Sequence, residues 1–143
     1  YREPVHNDTL ATFNIPDYFP EGKYLLRLQY EKTLNNMNRY NCYRTVIVDR
    51  TAPVLKENTV SVFTRWTKQN LIYYLAANFD EIVNAQLKIT ASDGHSYNVY
   101  SSLADSIQIW KLPSNIPEGQ ISVQFIATNL TGLTSVSRIF SIL

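Results

Sequence analysis

The sequence predicts an all-β chain folded as an antiparallel β-sandwich, and three observations predict it. Apolar and polar residues alternate over several runs. Ten Tyr and six Phe accompany abundant Val, Ile and Thr, while Gly is held to four. One turn-and-strand motif is written twice. These residue types suit a pleated, half-buried surface better than a helix, and a period of two turns one face of each run inward. Apolar residues make up 45% of the chain, enough to argue against disorder.

The repeated motif runs "IPDYFPEGKYLLRLQY" over residues 15–30 and "LPSNIPEGQISVQFIA" over residues 112–127. Setting Gly22 on Gly119 aligns the copies without a gap from Pro16 and Pro113 onward. After Pro-Glu-Gly, Tyr24, Leu26, Leu28 and Tyr30 alternate with Leu25, Arg27, Gln29 and Glu31. In the second copy Ile121, Val123, Phe125 and Ala127 alternate with Ser122, Gln124, Ile126 and Thr128. Proline sets φ for the second position of a tight turn and Gly supplies the strained conformation after Glu. Pro-Glu-Gly is therefore a turn into a strand, not a binding loop.

Each copy continues through a polar turn into another strand. "CYRTVIVD" lies on "VSRIFSIL", setting Cys42 on Val136, Arg44 on Arg138, Val46 on Phe140 and Val48 on Ile142. Ahead of the motif "DTLATFNIP" lies on "DSIQIWKLP", with Phe13 on Trp110. The repeat predicts three strands in each copy.

Between the copies "VDRTAPVL" reads as a junction, because Pro53 has no N–H for a ladder. Strands are expected at 59–65, 71–79, 85–91 and 96–101, separated by the turns "WTKQN", "DEIVN" and "SDGH". The last carries an Asp-Gly hairpin signal. Seven short strands from Thr59 onward describe a sandwich of immunoglobulin-like size. The expected organisation is a complete Ig-like β-sandwich over 51–143, preceded at 1–50 by the last three strands of a second one. Three strands cannot bury two sheet faces, so the missing half is expected upstream in a parent chain or on a partner. The chain opens on Tyr1 without a charged-then-apolar leader, as a processed chain or an excerpt does.

Composition narrows the chemistry. Lys and Arg number 13 against 12 Asp and Glu, without the basic footprint of a nucleic-acid binder. No apolar run is long enough for a membrane helix. Cys42 is the single cysteine, which rules out an intrachain disulfide; its alignment on Val136 predicts a small buried hydrophobe. The two histidines, His6 and His95, stand far apart in sequence, and "DGHS" at 93–96 is a turn composition rather than part of a triad. No enzyme activity is expected.

The junction "DRTAPV", the stretch "NFDEIVNAQLKI" at 78–89 and "PEGQISVQFIATNLTGLTS" at 117–135 together resemble tandem bacterial Ig-like domains of the adhesin type. Phe79, Asp80, Glu81 and Val83 sit where that family often carries Phe-Ser-Glu-Pro-Val, with Ile82 in the proline position. Asn129 stands where the family's late strand pair usually has Asp. The resemblance covers the second domain nearly in full and the first in part. It implies a stalk, spacer or adhesive tandem repeat in a secreted or cell-surface protein, flanked by further Ig-like domains. A sandwich hosts many functions.

Several residues are candidates for recognition. Trp66 lies in a polar turn, and Tyr74, Tyr97 and Tyr100 belong to alternating strands, so an aromatic patch for a glycan or protein partner is expected among them. Trp110, by its alignment on Phe13, is expected in the core. An exposed strand edge would take a partner strand without any special motif, and an accessory role beside a polysaccharide-active enzyme would suit the same fold. Asp80 and Glu81, Asp105, and Asp49 at the end of the first domain approach one pole, where oxygen ligands suit calcium. Arg50, Thr51, Ala52 and Pro53 form the expected hinge. Asn7 and Asn129 match the glycosylation acceptor pattern.

Overall fold

The computed structural model describes residues 12–31 and 39–142. Among the described residues every regular element is a strand and all pairings are antiparallel. The chain divides into two compact units, Tyr1–Asp49 and Arg50–Leu143.

In the first unit β1 (Gly22–Glu31) and β2 (Arg39–Val48) pair from Gly22↔Val48 to Glu31↔Arg39. Directly opposed side chains share a face, which puts Tyr24, Leu26, Leu28 and Tyr30 on one side with Val46, Cys42 and Tyr40. Among the described residues this sheet has two strands, and Leu26, Leu28, Tyr30 and Tyr40 are exposed. Phe19 folds back onto Tyr24, with ring centroids 4.7 Å apart. The turn behind it is closed by the Phe19 N–H donating to the Pro16 carbonyl at 2.9 Å and the Tyr24 hydroxyl donating to the Pro20 carbonyl at 2.8 Å. Two expectations change here. Cys42 is half-buried rather than buried; among the described residues its sheet has two strands and no second layer. The strand expected over 8–15 falls in part outside the described residues, and 12–16 form no strand.

The second unit holds β3 (Leu55–Trp66), β4 (Leu71–Thr90), β5 (Ser96–Tyr100), β6 (Asp105–Lys111), β7 (Ile121–Asn129), β8 (Thr134–Val136) and β9 (Phe140–Ile142). The long β4 organises it. The first half of β4 lies between β3 and β6, and its second half between β5 and β7; β7 then pairs β8 and β9. A sheet that curls in this way about one shared strand is consistent with a β-sandwich.

The turn expected at "DEIVN" is absent: residues 80–84 continue β4. Alternation carries through the segment, since Phe79 and Val83 are both buried and their parity never breaks. The chain bends instead of turning. Against β6 the register passes from Asn78↔Ile107 directly to Val83↔Asp105, an irregularity that bulges β4.

The core is built from the inward row of β4 (Leu75, Ala77, Phe79, Val83, Ala85, Leu87, Ile89) and Ile121, Val123, Phe125 and Ala127 of β7, with Trp110 from β6. Each fully buried Val, Leu, Ile or Phe side chain here contributes about 1.5–3 kcal/mol. Trp110 is 1% exposed, as its alignment predicted. Its ring centroid lies 5.4 Å from Phe125, which lies 5.7 Å from Phe140. The glycine after Pro-Glu adopts positive φ in both copies, +154° at Gly22 and +127° at Gly119.

The repeat survives as a pair of strands but not in register. Val123 pairs Phe140 in the second unit, whereas Leu26 pairs Arg44 rather than the aligned Val46. A slip of two residues returns the same side chains to the same face, so the alternation is blind to it.

Candidate functional site

Asp80, Glu81 and Asp105 are expected at one pole, and within the second unit their segments meet beside Asn129. Val83 pairs both Asp105 and Asn129. The groups that fill the pole are two buried amides. Asn129 Nδ2 donates to the Thr51 carbonyl at 3.1 Å and to Glu81 Oε1 at 3.3 Å. Asn129 Oδ1 accepts from Thr131 N, Thr131 Oγ1 and Leu133 N at 3.1, 2.8 and 2.9 Å, closing the turn into β8. Gln108 Nε2 donates to the carbonyls of Val83 and Asp105 at 2.8 Å and to that of Leu103 at 3.2 Å.

The acidic candidates are committed to the backbone in the same way. Asp80 Oδ1 accepts from Val54 N at 2.7 Å, while Asp80 N donates to the Val54 carbonyl at 3.0 Å. Asp105 Oδ1 caps its own strand, accepting from Ser106 N at 2.6 Å and Ile107 N at 3.3 Å. Asp49 belongs to the first unit. Among the described residues no group of three or more His, Cys, Asp or Glu is disposed to hold a metal ion. Of the expected hinge, Arg50 and Thr51 are exposed, Ala52 is half-buried, and Pro53 is fully buried.

The glycosylation pattern at Asn129 has a structural reading. This side chain is 4% exposed and both its amide atoms are bonded, so its nitrogen is closed to an enzyme in the folded chain. Asn7 lies outside the described residues.

The aromatic candidates are not gathered into one patch. Trp66 is 80% exposed at the end of β3, where Thr67 and Asn70 close the hairpin: Thr67 N donates to the Asn70 carbonyl at 2.9 Å. Tyr97 turns inward and packs on the core, its hydroxyl donating to the Asn115 carbonyl at 3.3 Å. Tyr100 is exposed on β5 opposite Gln86. Tyr74 lies on the outer face of the first half of β4, its ring stacked on Phe63 with centroids 5.2 Å apart and planes 10° from parallel. Sequence reasoning passed over Phe63, and only the register of β3 on β4 brings it to Tyr74.

Charged side chains also meet at Arg138 with Glu57 and at Asp93 with His95. Arg138 forks onto Glu57, Nε lying 3.1 and 3.0 Å from the two carboxylate oxygens and Nη2 2.9 Å from Oε2. The hydrogen bond from Arg138 holds the Glu57 carboxyl below its ordinary range, and Arg138 is raised in return. Asp93 is likewise lowered, first by the backbone N–H of His95 at 3.0 Å and then by its ring at 2.8 Å. That contact closes the Asp-Gly-His turn.

Fold and site together define an all-β antiparallel module whose pole is tied by buried amides. The chain matches no known protein-family model, and no curated protein matches it.

Proposed function

We propose that this chain is a non-catalytic Ig-like module of a secreted or cell-surface protein, serving as a stalk, spacer or adhesion unit beside similar domains. One observation carries the reading. The residues leading into the second unit are fastened to that unit's own pole, through Thr51 on Asn129, the reciprocal Val54–Asp80 pair and the buried Pro53. A leading segment bonded in this way adds no slack chain at the start of the unit, which suits a load-bearing series of modules. Backbone ¹⁵N relaxation on the whole chain tests it: one shared anisotropic tumbling time for residues 22–30 and 55–142 is expected, and two independent times would overturn the stalk.

A second reading, a binding module for a glycan or a protein, is favoured by the outward Phe63–Tyr74 stack and the cations around it.

A further inference from the structure

The outer face of the sheet formed by β3, the first half of β4 and β6 combines aromatic, basic and aliphatic side chains. Pairing register sorts its side chains into rows. Arg65 lies opposite Ile72; Phe63 opposite Tyr74, with Lys111 beyond; Ser61 opposite Ala76, with Ile109 beyond; Lys56 opposite Asn78, with Ile107 beyond. Ile107 and Ile109 are 56% and 51% exposed.

Three cations stand in these rows, and no carboxylate does. Among the described residues none of Lys56, Arg65 and Lys111 is paired with an acid. In a chain whose formal charge is only +1, that is a local excess of one sign. The next acid along β4, Asp80, lies beyond the last row and is already bonded to Val54. Arg65 leans over the aromatic pair, its guanidinium carbon 6.0 Å from the Phe63 centroid and 5.8 Å from that of Tyr74.

We infer that this face binds an anionic polysaccharide, a chain of sugar rings bearing carboxylates, laid along β4 across the Phe63–Tyr74 stack. Stacking covers one face of each ring, and the other is of the kind that attracts the positively polarised C–H groups of a sugar ring. Arg65 and Lys111, on either side of Tyr74, meet the carboxylates; a guanidinium suits a carboxylate fork and an ammonium acts as a point charge. Ser61 and Ala76 in the adjoining row are small and leave the stack open on that side. Four rows along a strand extend about 20 Å, long enough to engage several sugars at once.

An acidic peptide is the competing occupant. Peptides dock on sheets chiefly through backbone bonds to a free edge, and the middle of this face is β4, whose backbone is paired on both sides. A peptide there would be held by side chains alone and would make no particular use of the aromatic stack. Trp66 pairs Leu71 and alternates onto the opposite face from Phe63 and Arg65, so it stands outside the site.

This inference gives the adhesion half of the proposed function a surface and a ligand class, and so rests on that reading. The experiment is a titration of the whole ¹⁵N-labelled chain with a short oligogalacturonate, repeated with a neutral cello-oligosaccharide and with poly-glutamate. Shifts are expected in the rows of Phe63, Arg65, Tyr74 and Lys111. Arg65→Gln and Lys111→Gln, both exposed substitutions that leave the core untouched, are each expected to weaken binding about fivefold or more. Tyr74→Ala is expected to do the same, and added salt should weaken all of these. Shifts elsewhere, equal binding of the neutral sugar, or no binding at all would overturn the inference. Poly-glutamate binding as tightly and ignoring Tyr74→Ala would assign the face to acidic peptides instead. The relaxation measurement reads the stalk separately: rigid tumbling without sugar binding removes only this inference, and sugar binding with independent tumbling removes only the stalk.

Discussion

The side chain of Asn129 reaches the backbone carbonyl of Thr51 at 3.1 Å, so that the end of β7 holds the segment that begins the same unit. Asn129 is buried and its amide serves at least five bonds. Substituting Asp keeps the acceptor but loses the donor and sets a second carboxylate against Glu81. Asn129→Asp is expected to cost about 2–4 kcal/mol in urea denaturation, and Asn129→Ala a similar amount. A wild-type-like midpoint for both would mean that the pole is held by other contacts.

The same commitment predicts a chemical outcome. Expressed through a eukaryotic secretory pathway, the folded chain is expected to carry no glycan at Asn129, as read by peptide mass spectrometry. Occupancy there would require the pole to form after modification.

Gln108 offers a sharper electrostatic test. Its Nε2 faces three carbonyl oxygens and the residue is buried. Gln108→Glu aims an ionised oxygen at those carbonyls without a compensating donor. A loss of about 3 kcal/mol or more is expected, with partial recovery in acid as the carboxyl protonates.

The two tryptophans report on opposite environments. Trp66 stands in solvent while Trp110 is enclosed. Iodide is expected to quench only part of the native emission, and Trp66→Phe should abolish that accessible part. Trp110→Ala is expected to destabilise by about 3–5 kcal/mol, the range for removing a large buried aromatic.

Acid should loosen the contact between β3 and the segment after β8. The Glu57 carboxyl is lowered by Arg138. Its contribution is therefore present above the unfolded carboxyl value and is lost as pH falls through the lowered folded value. The raised Arg138 keeps its share throughout that range. The melting-temperature gap between wild type and Glu57→Gln, measured near neutrality, is expected to narrow as pH falls through the lowered folded value. A gap independent of pH would show that packing, not charge, separates the two proteins; Arg138 also lies over Phe140 at 4.2 Å.

Much of the strand order was legible because alternation is a local signal. Leu75 to Ile89 and Ile121 to Ala127 announce their inward faces residue by residue, and Trp110 followed from the repeat. The misreadings occurred where local chemistry and tertiary pairing disagree. "DEIVN" has the polarity of a turn, yet Val83 is buried between Asp105 and Asn129 and keeps the strand running. Cys42 has the spacing of a core residue, but burial needs a second layer, which spacing does not report. Asp80, Glu81 and Asp105 lie on segments that meet within the second unit, and the buried amides of Asn129 and Gln108 fasten them there. Asn129 in the position of the usual Asp was the available signal.

By itself the sequence determined the strand class, the inward faces, the repeat and the glycine turns, because each depends on backbone sterics and a period of two within a few residues. Only the tertiary structure decided which strands neighbour one another across β4, that Phe63 stacks on Tyr74, and that Asn129 bonds to Thr51. Those contacts join residues far apart in the chain through pairing register, and a register two residues away would present the same alternation to any reader of the sequence.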